Sequence, residues 1–320
     1  MKAIVVKEYG DESVLEYVET DKPAAGPGQV LVEIKAAGVN PVDTYIRQGN
    51  HPTAPPVPFT PGKDAAGVVV EAGTGVSKAA PEDRVYLAGA LSGTYAEFAL
   101  CNEDQVWKLP ENSSFEEGAG VFVPYATAFR ALFNKAGITA EDRILIHGGS
   151  GAVGIAAIQW AKNTGAEVFG TAGSPEGLRL VREVGADAVF DHGEEDYLSE
   201  ILEATKGEGV TVILEMLANV NLTKDFFVLA KFGRIVVIGS RGSLDFDPRL
   251  TMGKEATIKG MSLFNASKEE FEEIHSAIFE GLSQGYLKPV VGRSFELSAV
   301  GTAHREIIES KAQGKIVLIP

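Results

Sequence analysis

The sequence predicts an α/β protein in two parts, a doubly wound parallel sheet and a β-rich unit that flanks it in the chain. Three observations carry this. Beyond Asn112, strand-length apolar segments alternate with helix-length segments. Before it, short β-prone runs are separated by Gly and Pro clusters, with almost no helical periodicity. A glycine loop sits at the first strand-to-helix junction of the alternating region.

In chain order, Ala3–Lys7, Gln29–Ala36, Ala65–Ala72, Arg84–Ala88 and Tyr95–Cys101 read as strands, punctuated by Pro23–Gly28 and Pro52–Gly62. Asn40 suits a helix N-cap, where its side chain can accept a free N–H. Pro41 suits the next position, where no N–H is needed. Phe115–Ala136 reads as helices around Pro124. Six strands follow: Arg143–His147, Glu167–Ala172, Ala188–Phe190, Val210–Glu215, Arg234–Gly239 and Thr257–Ser262. Helices Gly151–Asn163, Pro175–Val184, Tyr197–Ala204 and Asn221–Ala230 separate them. Ser267–Lys268–Glu269–Glu270 has capping-box form and opens a helix to about Gln284. Ser298–Gln313 reads as helix and Ile316–Ile319 as strand. The simplest organisation is an α/β domain, 123–265, inserted into a β-rich domain formed by 1–122 and 266–320.

Lys plus Arg number 29 and Asp plus Glu 44, a net charge of −15. That makes nucleic acid and anionic membrane surfaces poor partners. No apolar run is long enough to span a bilayer, and Met1–Val6 is too short for a signal peptide. The single cysteine, Cys101, excludes an intrachain disulfide and any zinc site with two thiolates. These features lead us to expect a cytoplasmic chain.

Gly149–Ser150–Gly151–Ala152–Val153–Gly154 fits G-x-G-x-x-G, follows a predicted strand and opens an apolar helix. Missing side chains let the backbone approach a pyrophosphate, and the helix N-terminus offers N–H groups and a positive dipole end. The second strand ends Thr171–Ala172–Gly173–Ser174, with no acid to hold a ribose 2′-hydroxyl. Arg179 and Arg182 follow on the next helix, which favours a 2′-phosphate and hence NADPH. Both arginines can equally be read as solvated helix charges. Gly239–Ser240–Arg241–Gly242, after strand five, and Asn221, after strand four, lie where this fold binds ligands. The histidines His51, His147, His192, His275 and His304 show no metal spacing. His147 is expected to be packed, His275 and His304 to be structural, and His192 to lie near the adenosine end.

Three strings then carry a resemblance: Ala37–Tyr45, Pro61–Gly67 and Ser92–Glu97. They resemble the medium-chain dehydrogenase/reductase superfamily. Met216–Leu222, Gly239–Gly242 and Lys288–Val290 resemble its zeta-crystallin-type NADPH:quinone oxidoreductases. The resemblance covers essentially the whole chain. It implies a GroES-like catalytic domain built from both chain ends around a Rossmann domain. Zinc members of the superfamily carry a ligand Cys and a Gly-His-Glu segment where this sequence has Asn40 and Gly62–Lys63–Asp64, and the four-cysteine structural lobe is missing. A metal-free site is therefore expected. Without a Lewis acid to polarise an alcohol, a quinone is the more suitable acceptor.

The resemblance implies that Asn40 and Tyr45 face the nicotinamide and substrate, with Tyr45 placed to donate its O–H to a quinone oxygen and Asn40 to donate through its amide. Helix capping alone for Asn40, and cleft shape alone for Tyr45, are the plainer alternatives. It implies cofactor contacts at Tyr45, Ser150, Gly151, Ala152, Val153, Gly154, Gly173, Ser174, His192, Asn221, Ile238, Gly239, Ser240 and Arg241. Thr127, Phe264 and Lys315 are further candidates. No Lys follows the second strand, so Arg179 or Arg241 has to meet the 2′-phosphate. The expected activity is transfer of hydride or single electrons from NADPH to a quinone between the domains. An NADPH-dependent enone or alkenal reductase on the same fold is the enzymatic alternative. An NADPH-binding structural or RNA-binding protein is the non-enzymatic one, disfavoured by the charge. The family implies a homodimer or homotetramer.

Overall fold

The computed structural model describes residues 1–309 and 313–320. The N-terminal region contains β1 (Lys2–Val6), β2 (Leu15–Glu19), β3 (Gln29–Val39), helix α1 (Pro41–Arg47), β4 (Asp64–Ala72), β5 (Arg84–Ala88), β6 (Phe98–Asn102) and β7 (Val106–Lys108). β1 and β2 form a hairpin, and β3, β4, β5 and β7 form an antiparallel run. β3 is apolar and almost wholly buried, so it serves as the central strand. The predicted strand at Tyr95 begins later, at Phe98. Tyr95 and Ala96 instead meet β1, with the Ile4 N–H donating to the Tyr95 carbonyl at 2.9 Å.

Helices α2 (Phe115–Gly118) and α3 (Phe122–Phe129) follow, and a π-helical turn continues to Ala136. Pro124 lies in the first turn of α3, where its missing N–H costs nothing. The alternating region holds β8 (Arg143–Ile146), α4 (Ala152–Asn163), β9 (Glu167–Ala172), α5 (Pro175–Glu183), β10 (Ala188–Asp191), α6 (Tyr197–Ala204), β11 (Val210–Glu215), α7 (Ala218–Val228), β12 (Leu229–Val237), α8 (Arg249–Lys254) and β13 (Thr257–Gly260). All six strands are parallel in the order β10-β9-β8-β11-β12-β13. This doubly wound Rossmann order reverses direction between β8 and β11, the crevice where such sheets bind ligands. α7 starts earlier than predicted and β12 begins at Leu229, with a register shift opposite Val210–Val212. Phe232 takes a left-handed φ of 62° within that stretch.

The chain closes with α9 (Lys268–Gln284), β14 (Val291–Glu296), α10 (Val300–Glu309) and β15 (Lys315–Ile319). The capping box at Ser267 and Glu270 is present. Positions 310–312 of the predicted helix Ser298–Gln313 lie outside the described residues. β15 pairs antiparallel with β3, on the edge β3 shares with β6. The C-terminal strand thus returns to the N-terminal sheet. His275 of α9 ties the parts together by stacking on Trp107 at 4.0 Å and bonding the Tyr86 hydroxyl at 2.6 Å. Burial pushes its pKa down to about 3, so it is a neutral packing group. Cys101 is buried, and burial pushes its thiol up to about 12.

Candidate active site

The glycine loop joins β8 to α4. Gly149 donates its N–H to the Thr171 carbonyl at 2.7 Å, and Gly148 donates to the Thr171 hydroxyl at 3.2 Å, so β9 holds the loop. Gly151 is the N-cap of α4, and its carbonyl accepts from Ile155 at 2.8 Å. The N–H groups of Ala152, Val153 and Gly154 lie in the first turn, where no intrahelical acceptor exists. A Cβ on Gly154 would overlap the Gly148 carbonyl oxygen and lie 2.7 Å from Gly149 Cα. Only glycine permits this close helix–loop approach. A cradle of first-turn N–H groups at the positive end of a twelve-residue helix fits the pyrophosphate of a dinucleotide.

Gly173 and Ser174 follow β9, and Ser174 caps α5 by accepting from the Gly177 N–H at 3.1 Å. His192 Nδ1 lies 3.1 Å from the Thr171 hydroxyl. A Cβ on Gly173 would come within 2.5 Å of His192 Nε2, so the two share one side of the crevice. Thr171 thus braces both the loop and His192, a role no sequence pattern announces. Arg179 extends into solvent, 4.0 Å from Glu176, while the Arg241 guanidinium lies 3.4 Å from the Ile308 carbonyl.

The ends of β11 and β12 converge on Glu215, which is fully buried. Its Oε1 accepts from the Leu217 N–H at 2.5 Å and the Asn221 amide at 3.3 Å. Its main-chain carbonyl accepts from Ile238 at 2.8 Å and Gly239 at 3.3 Å. Ala218 donates to the Gly239 carbonyl at 2.9 Å, and the Arg241 N–H bonds Asn219 Oδ1 at 2.8 Å. Ser240 also reaches Asn219. Expected contact residues from two separate loops are therefore stitched together. Phe264 faces His51 edge-on at 6.5 Å, which brings the N-terminal region against the segment following β13. Thr127 is buried within α3.

Asn40 and Tyr45 lie at the start and middle of α1. Asp43 reaches back to the Asn40 N–H at 2.8 Å, and Tyr45 is partly exposed. The Asn40 amide is turned toward buried charges: its Oδ1 accepts from Lys315 Nζ at 2.6 Å, and its Nδ2 donates to Asp64 Oδ2 at 3.1 Å. Lys315 also pairs with Asp64 at 2.6 Å. Its ammonium thus faces Asp64 and Asn40 inside the protein. Gly314 donates to the Ser150 carbonyl at 2.8 Å, which ties β15 to the glycine loop. The network continues beneath α1. The Tyr95 hydroxyl donates to Asp43 at 3.0 Å and lies 3.3 Å from His304 Nε2, whose Nδ1 is 3.1 Å from Arg47. Burial, opposed by the Asn40 N–H bond, pushes Asp43 up to about 6. Burial and the Arg47 charge push His304 down to about 3.

A cavity of about 550 Å³ opens beside this network, lined by Asp43, Ile46, Phe59, Lys63 and Leu91 among others. At the position of the superfamily's zinc motif the donors are an amide, the Lys63 ammonium and the Asp64 carboxylate, already paired with Lys315. This set fits a zinc ion poorly. One other group of ligand-type side chains occurs among the described residues: His147, Glu215 and Asp225, all buried. His147 Nε2 lies 2.9 Å from Asp225 Oδ1 and 3.7 Å from Glu215 Oε2. His147 is packed, as expected, but as one member of an ionisable trio.

A Rossmann sheet with a bare phosphate cradle, gripped by a β-rich unit that the C-terminal strand completes, defines a two-part dinucleotide-binding oxidoreductase. Comparison with known proteins agrees. Residues 26–111 match the alcohol dehydrogenase GroES-like domain, and residues 152–280 match the zinc-binding dehydrogenase domain. Human quinone oxidoreductase is 44% identical over 321 residues, spanning 100% of this chain and 98% of that protein. Among solved structures, Escherichia coli quinone oxidoreductase complexed with NADPH is 30% identical, with a TM-score of 0.91 and full coverage of both chains. An NAD-dependent alcohol dehydrogenase superposes with a TM-score of 0.93 at 30% identity, again over both full chains. The chain belongs to the medium-chain dehydrogenase/reductase superfamily, among its zeta-crystallin-type quinone oxidoreductases.

Proposed function

We propose that this chain is a zinc-independent NADPH:quinone oxidoreductase. The observation that carries the reading is the glycine cradle at the reversal point of the Rossmann sheet, in a chain 44% identical to human quinone oxidoreductase. When bound, NADPH supplies a hydride or single electrons from its nicotinamide. The chain's own residues bind, orient and shield. Ser150, Gly151, Ala152, Val153 and Gly154 hold the pyrophosphate. Gly173, Ser174 and His192 border the adenosine, while Arg179 or Arg241 meets the 2′-phosphate. Asn221, Ile238, Gly239, Ser240, Thr127 and Phe264 flank the nicotinamide end. Tyr45 donates a hydrogen bond to a quinone oxygen as negative charge builds there. Asn40 offers its amide beside Tyr45, and Lys315, which bonds Asn40, borders the cofactor. Residues 1–122 and 266–320 form the GroES-like catalytic domain and 123–265 the Rossmann domain. The protein acts in the cytoplasm as a homodimer or homotetramer; no helix among the described residues is long and apolar enough to cross a membrane.

The test is NADPH consumption with 1,2-naphthoquinone, p-benzoquinone and a simple enone, repeated with NADH. Fast reduction of quinones with NADPH is expected, with little turnover of the enone. No consumption with any quinone, or stoichiometric zinc in active protein, overturns the reading.

A further inference from the structure

Glu215 places a carboxyl group in the core directly behind the crevice, with no exposure to solvent. A buried carboxyl group is costly unless its bonds are used. One oxygen is well used, accepting from Leu217 and Asn221. The other, Oε2, has no hydrogen-bond partner, and neither has Asp225 Oδ2. Both belong to the trio with His147. Burial pushes Glu215 up to about 7, while the His147 charge holds it down. One ligand-type atom from each of His147, Glu215 and Asp225 lies within 4.8 Å of the others, and Oε1 remains the acceptor for Leu217 and Asn221.

The same residue governs the second loop through its backbone. Its carbonyl accepts from Ile238 and Gly239, and Ala218 returns a bond to the Gly239 carbonyl. A Cβ on Gly239 would lie 2.5 Å from the Met216 carbonyl oxygen, so the two loops are in close contact at this point.

We propose that Glu215 is a positioning residue whose buried carboxyl group holds Asn221 and the Leu217 turn in register with the Ile238–Arg241 loop, so that both meet the cofactor together. This rests on the NADPH reading above. Glu215 touches the cofactor only through Asn221 and the backbone it orders. Its second oxygen, Oε2, faces His147 Nε2 at 3.7 Å.

The experiment compares Glu215→Gln, Glu215→Leu and Asn221→Ala in the full-length protein. Gln keeps an oxygen for Leu217 and Asn221 and removes the negative charge. Leu has similar bulk and removes both. For Leu, NADPH dissociation constants from fluorescence titration are expected to rise about tenfold, the loss of one to two net hydrogen bonds. Gln restores most of that loss. Adding Asn221→Ala to Glu215→Leu then costs under about twofold, because the amide has already lost its anchor. If the Leu variant does not fold, Glu215→Asp, which withdraws the carboxyl group by one methylene, takes its place. Hydrogen exchange of segments 217–221 and 238–241 is read without cofactor. Faster exchange in Leu or Asp and not in Gln supports the proposal even if wild type fails to bind NADPH, which would sink the cofactor reading alone. Unchanged exchange in both segments, fully additive binding losses, or a stoichiometric divalent ion in wild type that Glu215→Gln releases, overturns it.

Discussion

Lys315 Nζ lies 2.6 Å from Asp64 Oδ2, and both side chains are buried. The pair closes a circuit with Asn40, and Asp64 Oδ1 also accepts from the Val123 N–H at 3.0 Å at the start of α3. Gly38 makes room for it, since a Cβ there would lie 2.5 Å from Lys315 Cε. Four separate stretches of chain, at 38–40, 64, 123 and 315, therefore meet at one ion pair. Removing one partner strands a buried charge, whereas removing both leaves a neutral site. Lys315→Met should lower unfolding stability by roughly 3–5 kcal/mol, and adding Asp64→Asn should recover part of that loss. Urea unfolding of the two singles and the double checks this. Additive losses would show that the pair is not coupled.

Gly154→Ala tests the cradle. The added methyl collides with the Gly148 carbonyl, so the loop must shift away from the helix N-terminus. NADPH affinity is expected to fall at least tenfold, while overpacking lowers stability by roughly 1–3 kcal/mol. Fluorescence titration below the melting transition separates the two effects. An unaltered dissociation constant would place the cofactor elsewhere.

Asp43 predicts a pH dependence. Burial raises its pKa from 3.8 to about 6, so the folded protein holds this proton more tightly than the unfolded chain. Its contribution to stability therefore falls as pH rises from about 4 to about 6 and stays low above that, a change on the order of 3 kcal/mol. Asp43→Asn keeps an oxygen for the Asn40 N–H and the Tyr95 hydroxyl but does not titrate. The stability difference between variant and wild type should grow in the variant's favour across that window. A constant difference in pH-resolved urea melts would contradict the assignment.

Tyr45→Phe isolates one hydroxyl. If it stabilises charge on the quinone oxygen, kcat/KM should drop by roughly tenfold to a hundredfold while NADPH affinity stays near wild type. Steady-state kinetics with 1,2-naphthoquinone checks this. An unchanged kcat/KM would leave Tyr45 only a role in shaping the cleft.

Much of the architecture was legible along the chain. The six parallel strands, the glycine loop and the capping box at Ser267 follow from local periodicity and turn chemistry, whereas the return of the last strand rested on the family resemblance and is seen in the pairing of β15 with β3. Edges were less so. β2, β7 and β14 carried no alternation strong enough to predict, and the short β2 is half exposed. β12 begins well before Arg234, because pairing with β11 recruits a stretch that reads locally as the end of a helix. Within the site, the cradle was readable from its glycine spacing after a strand, and at Gly154 a Cβ has no room. Thr171, Asp64, Asp225 and Glu215 were not. An acid ending the apolar run Val210–Glu215 was the one available signal, since a buried strand rarely ends on a charge without a partner.

Residue order alone established the strand–helix alternation and the bare phosphate loop, because these depend on neighbours a few positions apart; that Asn40 and Lys63 stand where zinc members carry ligands came from the family resemblance. Which acids carry partners was decided by folding. Lys315 meets Asn40 across 275 positions, and His147 meets Asp225 across 78. Such pairs exist only where strand order brings distant segments together. Buried charge is tolerated there because packing has already excluded water and oriented a partner.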